Sequence, residues 1–238
     1  MNFKRGFRDG IPIGLGYFAV SFAFGILAVD SGCTIGEAVL ISLTNLTSAG
    51  QFAGLTVIAG MGSLIEMAVT QLVINARYML MSIAMSQKVD ADFHGIWRWI
   101  LGFGITDEIF AAAIQEKGTI KRYYFLGLMI LPIIGWTSGT FLGAFLGNVL
   151  PTILTNALGV ALYGMFIAVV IPKSVEDHHV LAAVILAVIC SMVLRYVPIF
   201  SGISSGFAII ICTVIASAAA AILFPVKEEE SLKQRSSG

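Results

Sequence analysis

Charge is what this sequence has least of. Only 12% of its 238 residues are Asp, Glu, Lys or Arg, and the formal net charge is zero. A soluble domain carries about a quarter charged residues, so this chain cannot coat a soluble surface, and without a basic patch it offers nothing to nucleic acid. Cysteine is scarce as well. Cys33, Cys190 and Cys212 have no ligand-like spacing, and the last two lie in apolar runs, where they read as small packing residues. The three histidines, His94, His178 and His179, fall outside the apolar runs, which argues against a proton relay through histidine and against a Ser–His intramembrane protease. Asp107 is the sole aspartate in mid-span, so an aspartyl protease pair is missing too. No G-x-x-x-x-G-K-[ST] tract is present to bind ATP. The chain does not read as an enzyme, and neither cofactor nor metal is expected.

What is abundant is apolar. Hydrophobic residues make up 58% of the chain, and the mean hydropathy is +0.92. Eight segments approach or exceed the roughly 20 residues that cross a bilayer: 11–29, 36–60, 64–86, 97–116, 123–147, 152–172, 179–197 and 203–224. No stretch between them could fold alone. The reading is therefore an all-α polytopic membrane protein, with residues 1–238 as a single integral membrane domain. "MNFKRGFRDG" lacks the apolar core and cleavage site of a signal peptide and reads as a cytoplasmic flank.

Segment 36–60 could cross once or dip in and return. With eight crossings and the N-terminus inside, Lys4, Arg5, Arg8, Lys117, Lys121, Arg122, Lys173 and the C-terminal bases collect on the cytoplasmic side, leaving Lys88 and Arg98 outside. A re-entrant 36–60 would flip everything after it. Eight crossings with both termini cytoplasmic is the expectation. "LTN" at 43–45 recurs at 154–156 and "RY" at 77–78 recurs at 195–196, which suggests a four-plus-four repeat over 11–116 and 123–224; an even count per half makes such a repeat parallel.

Three spans carry polar residues that do not suit lipid. "LTNLTSAGQFAG" at 43–54 sets Asn45, Gly50, Gln51 and Phe52 inside an apolar run. Such a stretch predicts an interrupted helix near 47–54, tolerated only where freed backbone groups line a cavity or pack in the bundle. Close packing through small residues is the competing explanation. In 64–86, helical spacing puts Gln71, Asn75, Tyr78 and Ser82 on one face, with Glu66, Thr70 and Arg77 nearly opposite. Arg77 sits near mid-span, where a charge costs roughly 2.5–3.5 kcal/mol on insertion scales. Segment 97–116 brings Asp107 and Glu108 to similar depth, pointing about 100° apart. An economical arrangement places Arg77 beside one of the two acids, either as part of a translocation path or as a purely structural pair.

Four stretches resemble one family: "GFRDGIPIGLGYFAVSFAFG" at 6–25, "TSAGQFAG" at 47–54, "INARYMLMS" at 74–82 and "GITDEIFA" at 104–111. Their order and content resemble the AzlC family of bacterial membrane proteins, the larger subunits of branched-chain amino acid exporters. The resemblance implies secondary export of valine, leucine, isoleucine or methionine through the cytoplasmic membrane, with a small AzlD-type membrane subunit as partner. It hands over no proven binding residue. Asn45, Gly50, Gln51, Phe52, Gln71, Asn75, Arg77, Asp107 and Glu108 are candidates on the physical reading, for a zwitterionic amino acid carried with a proton or another ion. A channel, or a scaffold subunit serving another small amphiphile, is the alternative.

Overall fold

The computed structural model describes residues 3–147, 167, 170–172, 174–200 and 202–224. Among these the secondary structure is helical, apart from an isolated bridge between Val89 and Ile120. In chain order the helices are α1 (Phe3–Asp30), α2 (Ile35–Thr44), α3 (Ala49–Ala59), α4 (Leu64–Ser86), α5 (Ile96–Gly104), α6 (Asp107–Ile114), α7 (Arg122–Leu146), α8 (His178–Tyr196) and α9 (Ser205–Leu223). Five are long and apolar enough to cross a membrane: α1, α4, α7, α8 and α9. The expected span at 152–172 lies almost wholly outside the described residues. His178 and His179 open α8 rather than lying in a loop.

α1 and α7 form the spine. Glycines recur along both helices and let the backbones touch: a Cβ at Gly6 would stand 2.0 Å from the Tyr124 carbonyl oxygen, and one at Gly143 would stand 2.0 Å from that of Phe22. Gly6 meets Tyr124, Gly14 meets Gly135 and Gly25 meets Thr140, so residue numbers rise together and the helices run parallel. Small residues at such spacing allow close van der Waals packing where lipid supplies no hydrophobic drive.

Two expected spans do not cross; they fold as hairpins of half-helices entering from opposite ends. In the first, α2 starts beside the far end of α1, where Ala38 packs with Ala28 and Ala144. It then descends: Ser42 bonds Thr140 at 2.7 Å, and Leu46 packs on Tyr17 and Trp136. α3 climbs back, from Gln51 bonded to Trp136 up to Leu55, which rejoins the Ala28–Ala38–Ala144 cluster. In the second hairpin, α5 rises from Trp97 beside Arg122 to Gly104 against Met129. α6 then returns from Thr106 at Tyr17 to Glu116 at Arg5. The mouth of this hairpin is closed by backbone bonds, Asp90 N–H to Ile120 O at 3.0 Å and Ile120 N–H to Lys88 O at 2.9 Å.

These hairpins correct the eight-crossing expectation and the side of two bases. Because both hairpins return, α4 is the single crossing between α1 and α7. Lys88 and Arg98 therefore share one end with Arg5, Lys117, Lys121 and Arg122 instead of facing the other side. Lys121 pairs there with Asp90, and Arg122 with Asp92 at 3.9 Å. The opposite end holds Asp30, Glu37 and Glu66, with Arg195 as its one described base.

The remaining helices flank this unit. Glu66 is buried, where its carboxylate accepts from the Ser204 hydroxyl and from Gly206 N–H at 3.1 Å. It thus caps α9. α9 runs alongside α4 in the same direction, and α8 returns antiparallel to α9, with His179 against Phe224 at 4.5 Å. α4 and α8 consequently run in opposite directions. The two "RY" dipeptides do not mark equivalent places in a parallel repeat.

Candidate functional site

The tips of the two hairpins meet at mid-depth between α1, α4 and α7. Local chemistry explains both breaks. At the end of α2 the Thr44 hydroxyl bonds back to Leu40 O at 2.7 Å, and Asn45 turns extended, with φ −140° and ψ 102°. Ser48 then takes φ 40° and ψ −85°, strained for a residue with a Cβ, and leaves α3 without a side-chain cap. In the second tip Gly102 and Gly104 weaken the helix, and Ile105 and Thr106 are extended. Thr106 restarts the chain as the N-cap of α6, its hydroxyl accepting from Ile109 N–H at 3.4 Å.

Between the tips lies a cavity of about 620 Å³. Arg77 and Tyr78 reach it from α4, Asp107 and Glu108 from the first turn of α6, Ser48 and Ala49 from the start of α3. Ile13, Tyr17 and Val20 of α1, Leu46 and Trp136 make the apolar wall. Two half-helix N-termini, those of α3 and α6, thus open on one space, which favours an anionic group there. The Arg77 guanidinium lies 2.9 Å from Asp107 Oδ2, with side chains 43% and 40% exposed, and stacks on Tyr78 at 5.0 Å. The Tyr17 hydroxyl sits 2.7 Å from Thr106 Oγ1 and also donates to Glu108 Oε2.

The sequence-predicted residues divide into groups. Arg77, Asp107 and Glu108 converge on the cavity. Gly50, Gln71 and Asn75 stand behind it as a support: Gln71 Nε2 donates to Gly50 O at 2.7 Å, and Asn75 Nδ2 to Gln71 Oε1 at 3.0 Å. A Cβ at Gly50 would strike Thr47 Oγ1 at 2.1 Å and Gln71 Oε1 at 2.8 Å, so this position takes glycine because the hairpin's own Thr47 and Gln71 of α4 both crowd it. Gln51 does not face the cavity. It is 1% exposed and satisfied at both ends, accepting from Trp136 Nε1 at 2.7 Å and donating to Ser42 Oγ at 2.9 Å. Phe52 turns the other way, edge-on to Phe24 at 5.3 Å. Asn45 ends α2 and does not line the cavity.

Tyr17, Ser48, Tyr78 and Trp136 were missed as site residues. Tyr78 had a signal, since it shares the polar face of Gln71 and Asn75. Tyr17 and Trp136 had none, because an aromatic in an apolar span reads equally as packing.

A model of the family described as AzlC protein matches residues 12–150. The chain is 31% identical over 184 residues to an uncharacterized membrane protein of Archaeoglobus fulgidus, covering 76% of this chain and 80% of that one. It is 28% identical over 148 residues to the inner membrane protein YgaZ of Escherichia coli, covering 60% of each. A membrane protein of Helicobacter pylori is 27% identical over 151 residues, with 60% of this chain and 65% of the relative covered. No solved structure matches the chain. The matched range runs from α1 to the end of α7 and takes in both hairpins and the cavity. The chain belongs to the AzlC family of membrane proteins.

Proposed function

We propose that this chain is the larger subunit of a secondary transporter that exports the branched-chain amino acids valine, leucine and isoleucine, and methionine as well. The observation that carries the reading is the cavity between the hairpin tips, which pairs a charged corner with an apolar wall. Ligand pockets for small molecules run from about 300 to 1,000 Å³ and combine apolar lining with few placed polar groups; this one, at about 620 Å³, falls within that range. An amino acid offers a carboxylate, an ammonium and an apolar side chain. Arg77 and the uncapped start of α3 suit the carboxylate, Asp107 suits the ammonium, and Val20, Leu46 and Trp136 suit the side chain.

The end that gathers Arg5, Lys88, Arg98, Lys121 and Arg122 faces the cytoplasm on the positive-inside rule, with the N-terminus inside; the inner-membrane name of the relative YgaZ supports the bacterial inner membrane. A small AzlD-type subunit completes the exporter. Transport draws on an ion gradient, and Asp107 and Glu108 are the groups at hand for it.

The test is efflux from cells preloaded by dipeptide feeding, expressing this chain with its small partner. Release of valine, leucine, isoleucine or methionine should accelerate while lysine-loaded cells show no change. Equal release with and without the chain, for all four, would remove the substrate assignment.

A further inference from the structure

Asp107 and Glu108 are neighbours in one helical turn, yet their surroundings differ in kind. Asp107 meets Arg77 at 2.9 Å. A guanidinium stays charged at any accessible pH, so Arg77 is a standing positive partner for Asp107. Glu108 has no basic group within 4.0 Å among the described residues; its Oε2 accepts from the Tyr17 hydroxyl. Among the described residues that line the cavity with it, the titratable groups are Tyr17 from α1, Arg77 and Tyr78 from α4, and Asp107 from its own helix, while α7 contributes Trp136, which does not titrate.

We infer that the two acids divide the work: Glu108 takes up and releases the coupling proton, Tyr17 is its positioning residue, and Asp107 stays the fixed partner of Arg77. This rests on the transporter reading above. The geometry that carries it is the place of the Tyr17 oxygen, within reach of both Glu108 Oε2 and Thr106 Oγ1, the latter at 2.7 Å. A hydroxyl has one proton to give and two lone pairs to receive. When Glu108 is ionised, Tyr17 donates to it and accepts from the Thr106 hydroxyl. When Glu108 has taken a proton from one side, its new O–H donates to the Tyr17 oxygen, and the Tyr17 proton swings to Thr106 Oγ1. Thr106 is 2% exposed and held in place as the cap of α6. Neither state leaves Glu108 or Tyr17 without a hydrogen-bond partner; the one group that must turn away is the Thr106 proton, which leaves Tyr17 when Glu108 is protonated. One proton enters from one side, and the same proton leaves to water on the other.

The experiment uses the full chain reconstituted in proteoliposomes with its small partner, and radiolabelled leucine as probe. One assay follows leucine–leucine exchange at equal pH on both sides; the other follows leucine accumulation driven by a pH gradient. Glu108→Gln is expected to keep exchange within about threefold while gradient-driven accumulation falls by at least about tenfold. Asp107→Asn is expected to raise KM in both assays and leave the ratio between them intact. Tyr17→Phe is expected to slow gradient-driven turnover with KM kept, whereas a merely structural tyrosine would move KM and exchange together. Infrared difference spectra between acid and neutral pH give a readout independent of substrate: a protonated-carboxyl band in the parent protein, lost in Glu108→Gln and kept in Asp107→Asn. A Glu108→Gln protein that still accumulates leucine on a pH gradient, or one that keeps the carboxyl band, overturns the inference. So does the folded variant losing exchange as completely as accumulation, since Glu108 would then be a binding group. If the parent exchanges no leucine, the substrate reading fails separately, and the infrared band still decides the proton's place.

Discussion

Arg77 Nη2 lies 2.9 Å from Asp107 Oδ2, a pair that joins the middle of α4 to the first residue of half-helix α6. It holds the second hairpin tip against a crossing helix at the depth where a lone charge is most costly. Removing the guanidinium takes a positive charge from beside the Asp107 carboxylate. Arg77→Ala should lower leucine efflux about tenfold to a hundredfold, and Arg77→Lys should recover only part of it because a point charge replaces a planar fork. If the pair acts as a unit, Arg77→Ala with Asp107→Asn should be no worse than Arg77→Ala alone. Initial rates at matched expression check this.

The paired hairpins make an accessibility prediction that separates them from eight crossings. In a cysteine-less background, cysteines at Ser31 and Met61 should be labelled from one side, and cysteines at His94 and Lys117 from the other. A crossing 36–60 would put positions 31 and 61 on opposite sides, and a crossing 97–116 would do the same for 94 and 117. Impermeant maleimide labelling of intact cells and inverted vesicles distinguishes the two.

The α1–α7 seam should respond to added volume at its contact glycines and not elsewhere. A Cβ at Gly135 would stand 2.3 Å from the Gly14 carbonyl oxygen, whereas one at Gly16 meets nothing within 4 Å. Overpacking of this kind costs about 1–3 kcal/mol. Gly135→Val should lower the melting temperature in detergent by several degrees, and Gly16→Ala should leave it unchanged.

Gln51 holds the first hairpin to α7 through Trp136 and ties its two half-helices together through Ser42. Gln51→Leu would leave the buried indole N–H unpaired, a loss of about 1–3 kcal/mol. Adding Trp136→Phe to Gln51→Leu should destabilise less than the sum of the single changes, because the second change removes the orphan the first creates. Thermal melting of the four proteins gives the coupling.

The mouth of the second hairpin should loosen in acid. The hydrogen bond from the Lys121 ammonium holds the Asp90 carboxyl below its ordinary 3.8, and the same bond raises Lys121 above its ordinary 10.5. A depressed acid contributes stability that is present above its unfolded value and is lost as pH falls through the folded one. A raised lysine contributes below its unfolded value and loses that as pH rises through the folded one. The tie is therefore whole from mildly acidic to mildly alkaline pH and fails at either extreme. Protection of the Asp90 and Ile120 amides, corrected for intrinsic exchange, should drop on going from neutral pH to below the carboxylate range. Lys121→Ala should flatten that dependence.

Much of the membrane architecture was legible as sequence, because a span is written in the length of its apolar run. The segment expected at 64–86 matches α4 residue for residue, and 123–147 differs from α7 by one residue at each end. The polar residues of the cavity were legible too, since Arg77, Asp107 and Glu108 are costly in lipid wherever they fall. Whether an apolar segment of 25 residues crosses or returns was not, for a break at Asn45–Ser48 has the same hydropathy in either case. Counting bases could not settle it, because two hairpins from opposite ends cancel and leave Lys4 and Lys121 on the same side under both topologies. Only Lys88 and Arg98 change sides.

The sequence by itself determined that this is a helical membrane protein of the AzlC family with an ionisable cluster at mid-depth; burial cost and residue order suffice for that. Tertiary structure alone decided which polar group meets which. Gln51 is spent on Trp136 and Ser42 rather than on the cavity, Glu66 caps a helix 140 residues away, and Tyr17 stands beside Glu108. Those pairings depend on how helices far apart in sequence come to lie together, which residue order and hydropathy do not specify.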